Sequence, residues 1–599
     1  MADSPAEMKP TLGTTGLTMN AMALIAPGAF LWLTFAGQAA YGTTSPAMWM
    51  GIVFALLLCL ATAVCYAEMA KLYPGTGSSY YFAEQAFLNH EKAWPYARLA
   101  KFVVGWGSHL YYWVYPGVMV GVIGVISGYL VGTLWPNFMN ASNPGPAFMM
   151  LLAIVFAFGI SYIAHRGITG STAVNVAINV IQISALVVFA AMAIGYRLNH
   201  PPGSVAYQFD PQTSAAFTCE FATTKTMVNG QATDTILRAA DGTPQCATDS
   251  SGKVIPYHLS YPRLDSSGAF LSHASAASVI RMHNFGWVFV QATVAILILV
   301  GFESVTSMGR EARNAKRDVP IAVLTSLLVQ GAFCYLFEYF AANYFLNSGY
   351  TMQNAAASAA PIGDMMIVIG DAIFGAGRGR IFMLCEAATV FLALIGTTLS
   401  CINTGARVTY AMGKDQEAPE SFGILHSKNL SPHRAIWTLA AISALVGCLT
   451  VAVFFGDGAA PADSAIQALP QGFWSSYGYT THDKMAALPN TFLTASLASN
   501  FGTFLLYMLS CIICIVCYHK HPKYKMVRHF LIPIFGLFAN LACMAFYLIG
   551  PFMGYGTKKE PLIALGIALA WAAYGWLYFT LSSKKAKRAT LVGDRLPTA

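Results

Sequence analysis

Residues 286–320 read GWVFVQATVAILILVGFESVTSMGREARNAKRDVP. An apolar run carries through Leu297, Ile298, Leu299 and Val300. It meets Gly301-Phe302 and then, midway along the run, the carboxyl group of Glu303 followed by Ser304. A charge inside a bilayer is costly, so an acid at this place marks something other than packing. Glycine weakens a helix, so the backbone can open here. Beyond the run the charges crowd together at Arg310, Glu311, Arg313, Lys316, Arg317 and Asp318.

This run is one of twelve, each near the roughly 20 residues needed to cross a bilayer as helix. The others fall at 17–39, 47–68, 105–131, 147–164, 168–196, 320–345, 380–412, 433–456, 491–517, 529–551 and 561–582, with the sixth at 286–308. Of the 599 residues 56% are hydrophobic and 10% charged, against roughly 25% charged in soluble chains. That composition excludes a soluble enzyme, a disordered chain and a nucleic-acid binder. It implies an all-α integral membrane protein. The twelve cysteines lie mostly in apolar runs, where they read as small hydrophobes. Met1 to Pro10 has neither a basic start nor an apolar core, so no cleaved signal peptide is indicated.

Lys and Arg set the orientation. With the N-terminus inside, the inward segments hold 23 of them and the outward segments 11, of which 6 fall in the long 197–285 connection. Long loops escape the rule, so the comparison is 23 against 5 and both termini are expected in the cytoplasm. The chain then divides into an N-terminal segment (1–16), five spans (17–196), an outer loop insertion (197–285), five more spans (286–517), two additional spans (518–582) and a basic, solvated tail (583–599). The outer loop is polar and punctuated by the turn pairs Asn229-Gly230 and Asp241-Gly242. Outside the cell Cys219 and Cys246 can form a disulfide; the alternative is two free thiols.

Four acids fall within or at the edge of the spans: Glu68, Glu303, Glu338 and Glu386. Glu68 lies at a cytoplasmic helix end, where a structural role suffices. Glu338 and Glu386 read as interhelical hydrogen-bonding groups. Glu303 stands apart, because the first span carries a matching irregularity at Ala26-Pro27-Gly28-Ala29, where Pro removes a backbone donor and Gly weakens the helix. Interruptions at the first and sixth helices occupy corresponding places in two five-helix halves, the pointer to an inverted-repeat transporter with its site at the bilayer midplane. The plainer alternative is a Pro kink in one span and a small-residue contact in the other. Free N–H groups after Gly28 suit a carboxylate. Unwound carbonyls around Gly301 and Phe302 suit an ammonium group or a cation. A zwitterionic amino acid satisfies both ends.

Other motifs carry less. Cys511, Cys514 and Cys517 have metal-like spacing but sit on an apolar helix, and His519-Lys520-His521 reads as a charged loop. There is no P-loop, dinucleotide fingerprint or zinc-ligand set, so no enzyme, cofactor or resident metal is expected.

Three stretches resemble the amino acid–polyamine–organocation superfamily of secondary transporters. Tyr66-Ala67-Glu68-Met69-Ala70 with Pro74-Gly75-Thr76-Gly77-Ser78-Ser79-Tyr80 is similar to the family's second-helix ending. Gly301-Phe302-Glu303-Ser304, running on through Glu311, Arg313, Asn314, Arg317, Asp318 and Pro320, resembles its sixth helix and exit. Arg407-Val408-Thr409-Tyr410-Ala411-Met412 with Asp415 and Pro419 is similar to the stretch after its eighth helix. The resemblance implies a 5+5 inverted repeat in which helices one, two, six and seven rock against the rest. It also implies substrate binding at Ala26, Pro27, Gly28, Ala29, Val300, Gly301, Phe302 and Ser304.

Three departures stand out. The first break is Ala26-Pro27-Gly28 where the family has Gly-small-Gly, and Ala315 replaces a common Pro. Span 168–196 also lacks the fifth-helix Lys that stands in for sodium in some proton-coupled members. A coupling ion is therefore expected either as H+ at Glu303 or as Na+ at the first-helix break with Thr397 and Thr398. The leading expectation is a secondary active transporter of an amino acid or related amine in the cell membrane. The alternatives are an amino-acid sensor on the same fold and a potassium-type cation carrier.

Overall fold

The computed structural model describes residues 10–25, 34–35, 38–39, 48–134, 146–200, 208–209, 216–228, 231–255, 276–281, 285–346, 350, 355, 360–375, 378–454, 490–555, 558–586 and 588–589. The first half holds α1 (Thr14–Ile25), α2 (Met48–Leu72), α3 (Ser79–Leu88), α4 (Ala97–Tyr112), α5 (Tyr115–Leu134), α6 (Pro146–His165) and α7 (Ile168–Asn199). The second begins with α8 (Phe285–Leu299), a tight helical turn at Phe302–Met308, and α9 (Ala315–Leu327). A π-helical stretch at Leu328–Tyr335 leads into α10 (Leu336–Phe345), followed by α11 (Pro361–Phe374), α12 (Gly379–Lys414) and α13 (His433–Phe454). The chain continues through α14 (Asn490–Tyr518), α15 (Ile532–Ile549) and α16 (Lys559–Lys585).

Among the described residues, 11 helical runs are long and apolar enough to cross a membrane. The expected span at 17–39 is described as α1 and at 34–35 and 38–39, while Ala26, Pro27, Gly28 and Ala29 lie outside the described residues. The helix that carries the expected third span starts at Ala97, before residue 105. Arg98 and Lys101 belong to α4 and are nearly buried, because Glu417 takes Arg98 while Glu84 and Asp415 take Lys101. Their charge is hidden by partners distant in sequence.

Leu17, Ala21, Leu24 and Ile25 of α1 are fully buried, and α1 packs against α7, α9, α12 and the turn at 302–308. The interrupted sixth span thus sits against the first at the centre of the bundle. Leu151, Val180, Phe538, Leu569 and Trp576 are exposed on its outside. Water would penalise such a surface, whereas lipid tails are as apolar as the side chains themselves.

The 197–285 segment holds a small β layer. Its strands β1 (Thr223–Val228) and β2 (Gln231–Ile236) pair antiparallel, with Thr223 opposite Ile236 and Val228 opposite Gln231. Phe221 bridges to Cys246, and Cys219 and Cys246 are joined by a disulfide with Cα atoms 5.6 Å apart. At the Asp241-Gly242 turn, Gly242 takes φ +84° and the Asp241 carboxylate accepts the Thr243 amide at 3.0 Å. Asn229-Gly230 lies outside the described residues.

The opposite end of the bundle, the basic face, is stitched by charge. Arg407 grips Glu311 at 2.8 and 2.9 Å, and both are nearly buried. The Glu311 carbonyl accepts the amides of Thr11 and Leu12, each at 2.9 Å, and Thr14 donates to Asp318 at 2.8 Å. Tyr80 donates to Asp415 at 2.8 Å; burial, then the Asp415 charge, pushes this phenol far above its ordinary range, so it stays a donor. The tail is not wholly solvated. Arg588 donates to the Asp415 carbonyl at 2.8 Å and lies 3.4 Å from Glu417, while the Ala589 carbonyl accepts from Arg98.

Candidate functional site

α8 ends at Leu299 because Gly301 adopts φ +122°, a conformation open to glycine and strained for other residues. In a continuous helix the Ser304 amide would bond to the Val300 carbonyl and the Gly301 amide to the Leu297 carbonyl. Here Ser304 N–H donates to the Gly301 carbonyl at 3.0 Å, and Gly301 N–H donates to the Glu303 carboxylate at 3.0 Å. Tyr115 hydroxyl takes the Leu297 carbonyl at 3.2 Å. The Val300 carbonyl is thereby released from the helix ladder.

Glu303 is fully buried. Its Oε2 also accepts Tyr507 hydroxyl at 2.9 Å, and its Oε1 accepts Tyr112 hydroxyl at 3.2 Å. Three donors from three parts of the chain therefore converge on one carboxyl group. Phe302 packs its ring against Tyr507 and Tyr66, with centroids 5.3 and 6.1 Å away. Ser304 is buried and its hydroxyl has no partner among the described residues. Val300, Gly301, Phe302, Glu303 and Ser304 thus come together as one break, and Leu24 at the end of α1 lies against Gly301.

Thr397 joins this centre and Thr398 does not. Thr397 hydroxyl lies 3.1 Å from the Ala23 carbonyl on α1 and 3.0 Å from the Ala393 carbonyl of its own helix, whereas Thr398 bonds only to Leu394, at 2.8 Å. Neighbouring α1 carbonyls are also occupied. Tyr335 donates to Ile25 at 2.7 Å, Gln330 to Met22 at 3.3 Å and Asn179 to Met19 at 2.8 Å. These side chains belong to a buried amide network. Asn20 donates to Thr172, Asn175 to Asn20 and Ser400, and Gln182 and Gln330 both donate to Asn179.

Sequence reasoning missed Tyr112, Tyr507 and this network. The tyrosines gave no local signal, but Asn175, Asn179 and Gln182 follow the i, i+4, i+7 spacing of one helix face inside an otherwise apolar span. Glu68 lies at the basic face, as expected, taking Lys71 at 2.7 Å and His529 at 3.3 Å. Cys511, Cys514 and Cys517 are buried in α14.

Helices long and apolar enough to cross a membrane meet at an interruption around a buried acid, and the proteins this chain is similar to are permeases, not enzymes. The family profile for amino acid permeases matches residues 11–579, and the chain belongs to this family, within the amino acid–polyamine–organocation superfamily. It is 24% identical over 451 residues to the branched-chain amino acid permease BcaP of Bacillus subtilis, covering 74% of this chain and 75% of that one. To the low-affinity putrescine importer PlaP of Escherichia coli K12 it is 22% identical, with the same coverage. To the methylthioribose transporter of Bacillus subtilis it is 21% identical over 456 residues, 72% of this chain and 74% of that one.

Proposed function

We propose that the chain is a secondary active transporter that carries an amino acid or a related amine across the cell membrane by alternating access, coupled to protons through Glu303. The observation that carries this reading is the buried Glu303 carboxylate bound to the Gly301 amide, Tyr112 and Tyr507. Adding a proton turns one acceptor oxygen into a donor, so the hydrogen bonds at the break rearrange, the Tyr112 hydroxyl turning acceptor or a partner letting go. Protonation and the hydrogen bonding of the break are thereby coupled.

The released Val300 carbonyl and the unpartnered Ser304 hydroxyl offer acceptors for a substrate ammonium group. The carboxylate end is assigned to the amides after Pro27-Gly28. BcaP and PlaP are named for a branched-chain amino acid and for putrescine; both substrates bring an ammonium group. The basic face is assigned to the cytoplasm by its excess of Lys and Arg.

Uptake of radiolabelled amino acids and amines into proteoliposomes, with pH and sodium gradients imposed separately, tests the reading. Accumulation driven by an inward proton gradient and indifferent to sodium is the expected result. Binding without flux would leave a sensor, and potassium flux without amine flux would leave a cation carrier. Either would overturn the proposal.

A further inference from the structure

Three histidines meet on the basic face, outside the site described above. His165 ends α6, His433 opens α13, and His426 lies on the loop that leads into α13. Their rings stand edge to face, with centroids 4.8 Å apart for His165 and His426, 5.5 Å for His426 and His433, and 6.4 Å for His165 and His433. All three are half-buried, so water reaches them. The Nδ1 atoms of His165 and His433 have no partner among the described residues. His426 Nδ1 accepts the Asn429 amide at 3.2 Å, which requires a ring nitrogen without a proton.

The loop is fastened through these residues. Ser431 hydroxyl donates to the His165 carbonyl at 2.9 Å, and the His426 amide donates to the Ser431 carbonyl at 2.8 Å. The same loop walls a cavity of about 220 Å³, where Lys428, Asn429 and Ser431 join Thr11, Glu311 and Arg407. It therefore adjoins the contacts that tie the chain ahead of α1 to the exit of the sixth span. The charges around the rings are mostly positive. Arg166, Lys428 and Arg434 neighbour them in the chain and form no ion pair among the described residues. α12, packed against both α6 and α13, brings Arg407, held by Glu311, and Lys414, which lies over the Tyr410 ring at 5.8 Å. The turn Glu420–Gly423 brings Glu420, which accepts Gln416 at 2.8 Å, and Tyr162, one turn back on α6, adds only a phenol. A proton on one ring thus meets two other rings and three cations, with no paired carboxylate to offset it.

We propose that His165, His426 and His433 form a pH sensor on the basic face, separate from Glu303, whose protonation frees the 424–432 loop and slows transport when that side turns acid. With the rings neutral, they pack together and His426 Nδ1 holds the Asn429 amide. A proton on His426 Nδ1 cancels that bond, and charge on any two rings drives them apart. The loop then leaves the end of α6, so the docked form is present at neutral pH and lost as pH falls through the imidazole range. The slowing of transport rests on the function proposed above. An ammonium-bearing substrate released on the basic face meets added positive charge beside Arg166, Lys428 and Arg407.

Hydrogen–deuterium exchange of the full chain in lipid nanodiscs reads the loop directly. After correction for the intrinsic pH dependence of exchange, wild-type peptides across 424–433 should exchange about fivefold faster at about pH 5.5 than at about pH 7.5, the scale of one like-charge contact in water. In H165N/H426N/H433N the ratio should stay near one, because asparagine offers an oxygen in place of Nδ1 and takes no charge. The single variant H426N, with a reduced ratio, carries the test where the triple variant does not fold. A flat wild-type ratio, or an equal rise in the variants, would overturn the proposal. Uptake into proteoliposomes with a fixed outer pH and an acidified interior should fall several-fold further in the wild type than in the triple variant; equal falls would overturn the control of transport. The exchange arm needs no transport, so it stays readable should the function proposed above fail.

Discussion

Gly301 lies so close to Leu24 that a methyl group built on it would stand 2.7 Å from the Leu24 Cγ and 3.1 Å from its carbonyl carbon. The end of α1 and the break in the sixth span therefore touch through a glycine, and the contact has no room for a side chain.

Gly301→Ala should abolish uptake, because the new methyl both collides with α1 and occupies a φ of +122°. Residual activity below about a tenth corresponds to roughly 1.4 kcal/mol, a modest share of that strain. Membrane insertion should persist, since the change is local. Surface expression measured beside radiolabel uptake checks this; wild-type uptake would remove the contact from the mechanism.

Glu303→Gln should weaken concentrative uptake and flatten its dependence on pH while substrate still binds. The amide keeps an acceptor for Tyr507 but cannot change its protonation. Tyr507→Phe, which removes one hydrogen bond to a charged group, should cost about ten- to a hundredfold in rate, in line with the roughly 1.5–3 kcal/mol such bonds carry. Proteoliposome uptake across pH, with binding followed by tryptophan fluorescence, distinguishes the two; an unchanged pH profile in the Gln variant would make Glu303 a structural cap.

Replacing sodium by choline should leave transport unchanged. Thr397→Val should slow it several-fold, whereas Thr398→Val, whose hydroxyl only bonds within its own helix, should stay near wild type. Sodium-dependent rates that both substitutions lower alike would restore the sodium reading.

Arg407→Gln or Glu311→Gln alone should destabilise the protein by about 3–5 kcal/mol, since each strands a buried charge. The double variant should recover most of that loss. Thermal unfolding in detergent measures both, and additive losses would show that the pair does not act as a unit.

Cys219→Ser with Cys246→Ser should leave uptake within about twofold, because the bridge ties only the small β layer. Mass spectrometry of non-reduced peptides should find the two joined; free thiols in the mature protein would refute the bridge.

The helices and the sixth-span break were readable because both are local. A run of apolar side chains declares a span, and Gly301 beside Glu303 declares its interruption within four residues. The partners of Glu303 were not readable, since Tyr112 and Tyr507 lie 191 and 204 positions away and look like ordinary aromatic residues of apolar helices. The same distance hid how Arg98 and Lys101 are held in α4: their partners Glu417, Glu84 and Asp415 come from elsewhere in the chain. Thr397 and Thr398 are adjacent and chemically identical, so only the helix rotation that turns one toward Ala23 separates them.

The network that fastens α1 to α7 is built from Asn20, Asn175, Asn179, Gln182 and Gln330, with Thr172 and Ser400. None of these groups titrates near physiological pH, and none is screened by salt as an ion pair would be. The grip on the first helix therefore has the same strength in acid or alkaline surroundings, dilute or concentrated. A cell that meets shifting acidity keeps this anchor constant.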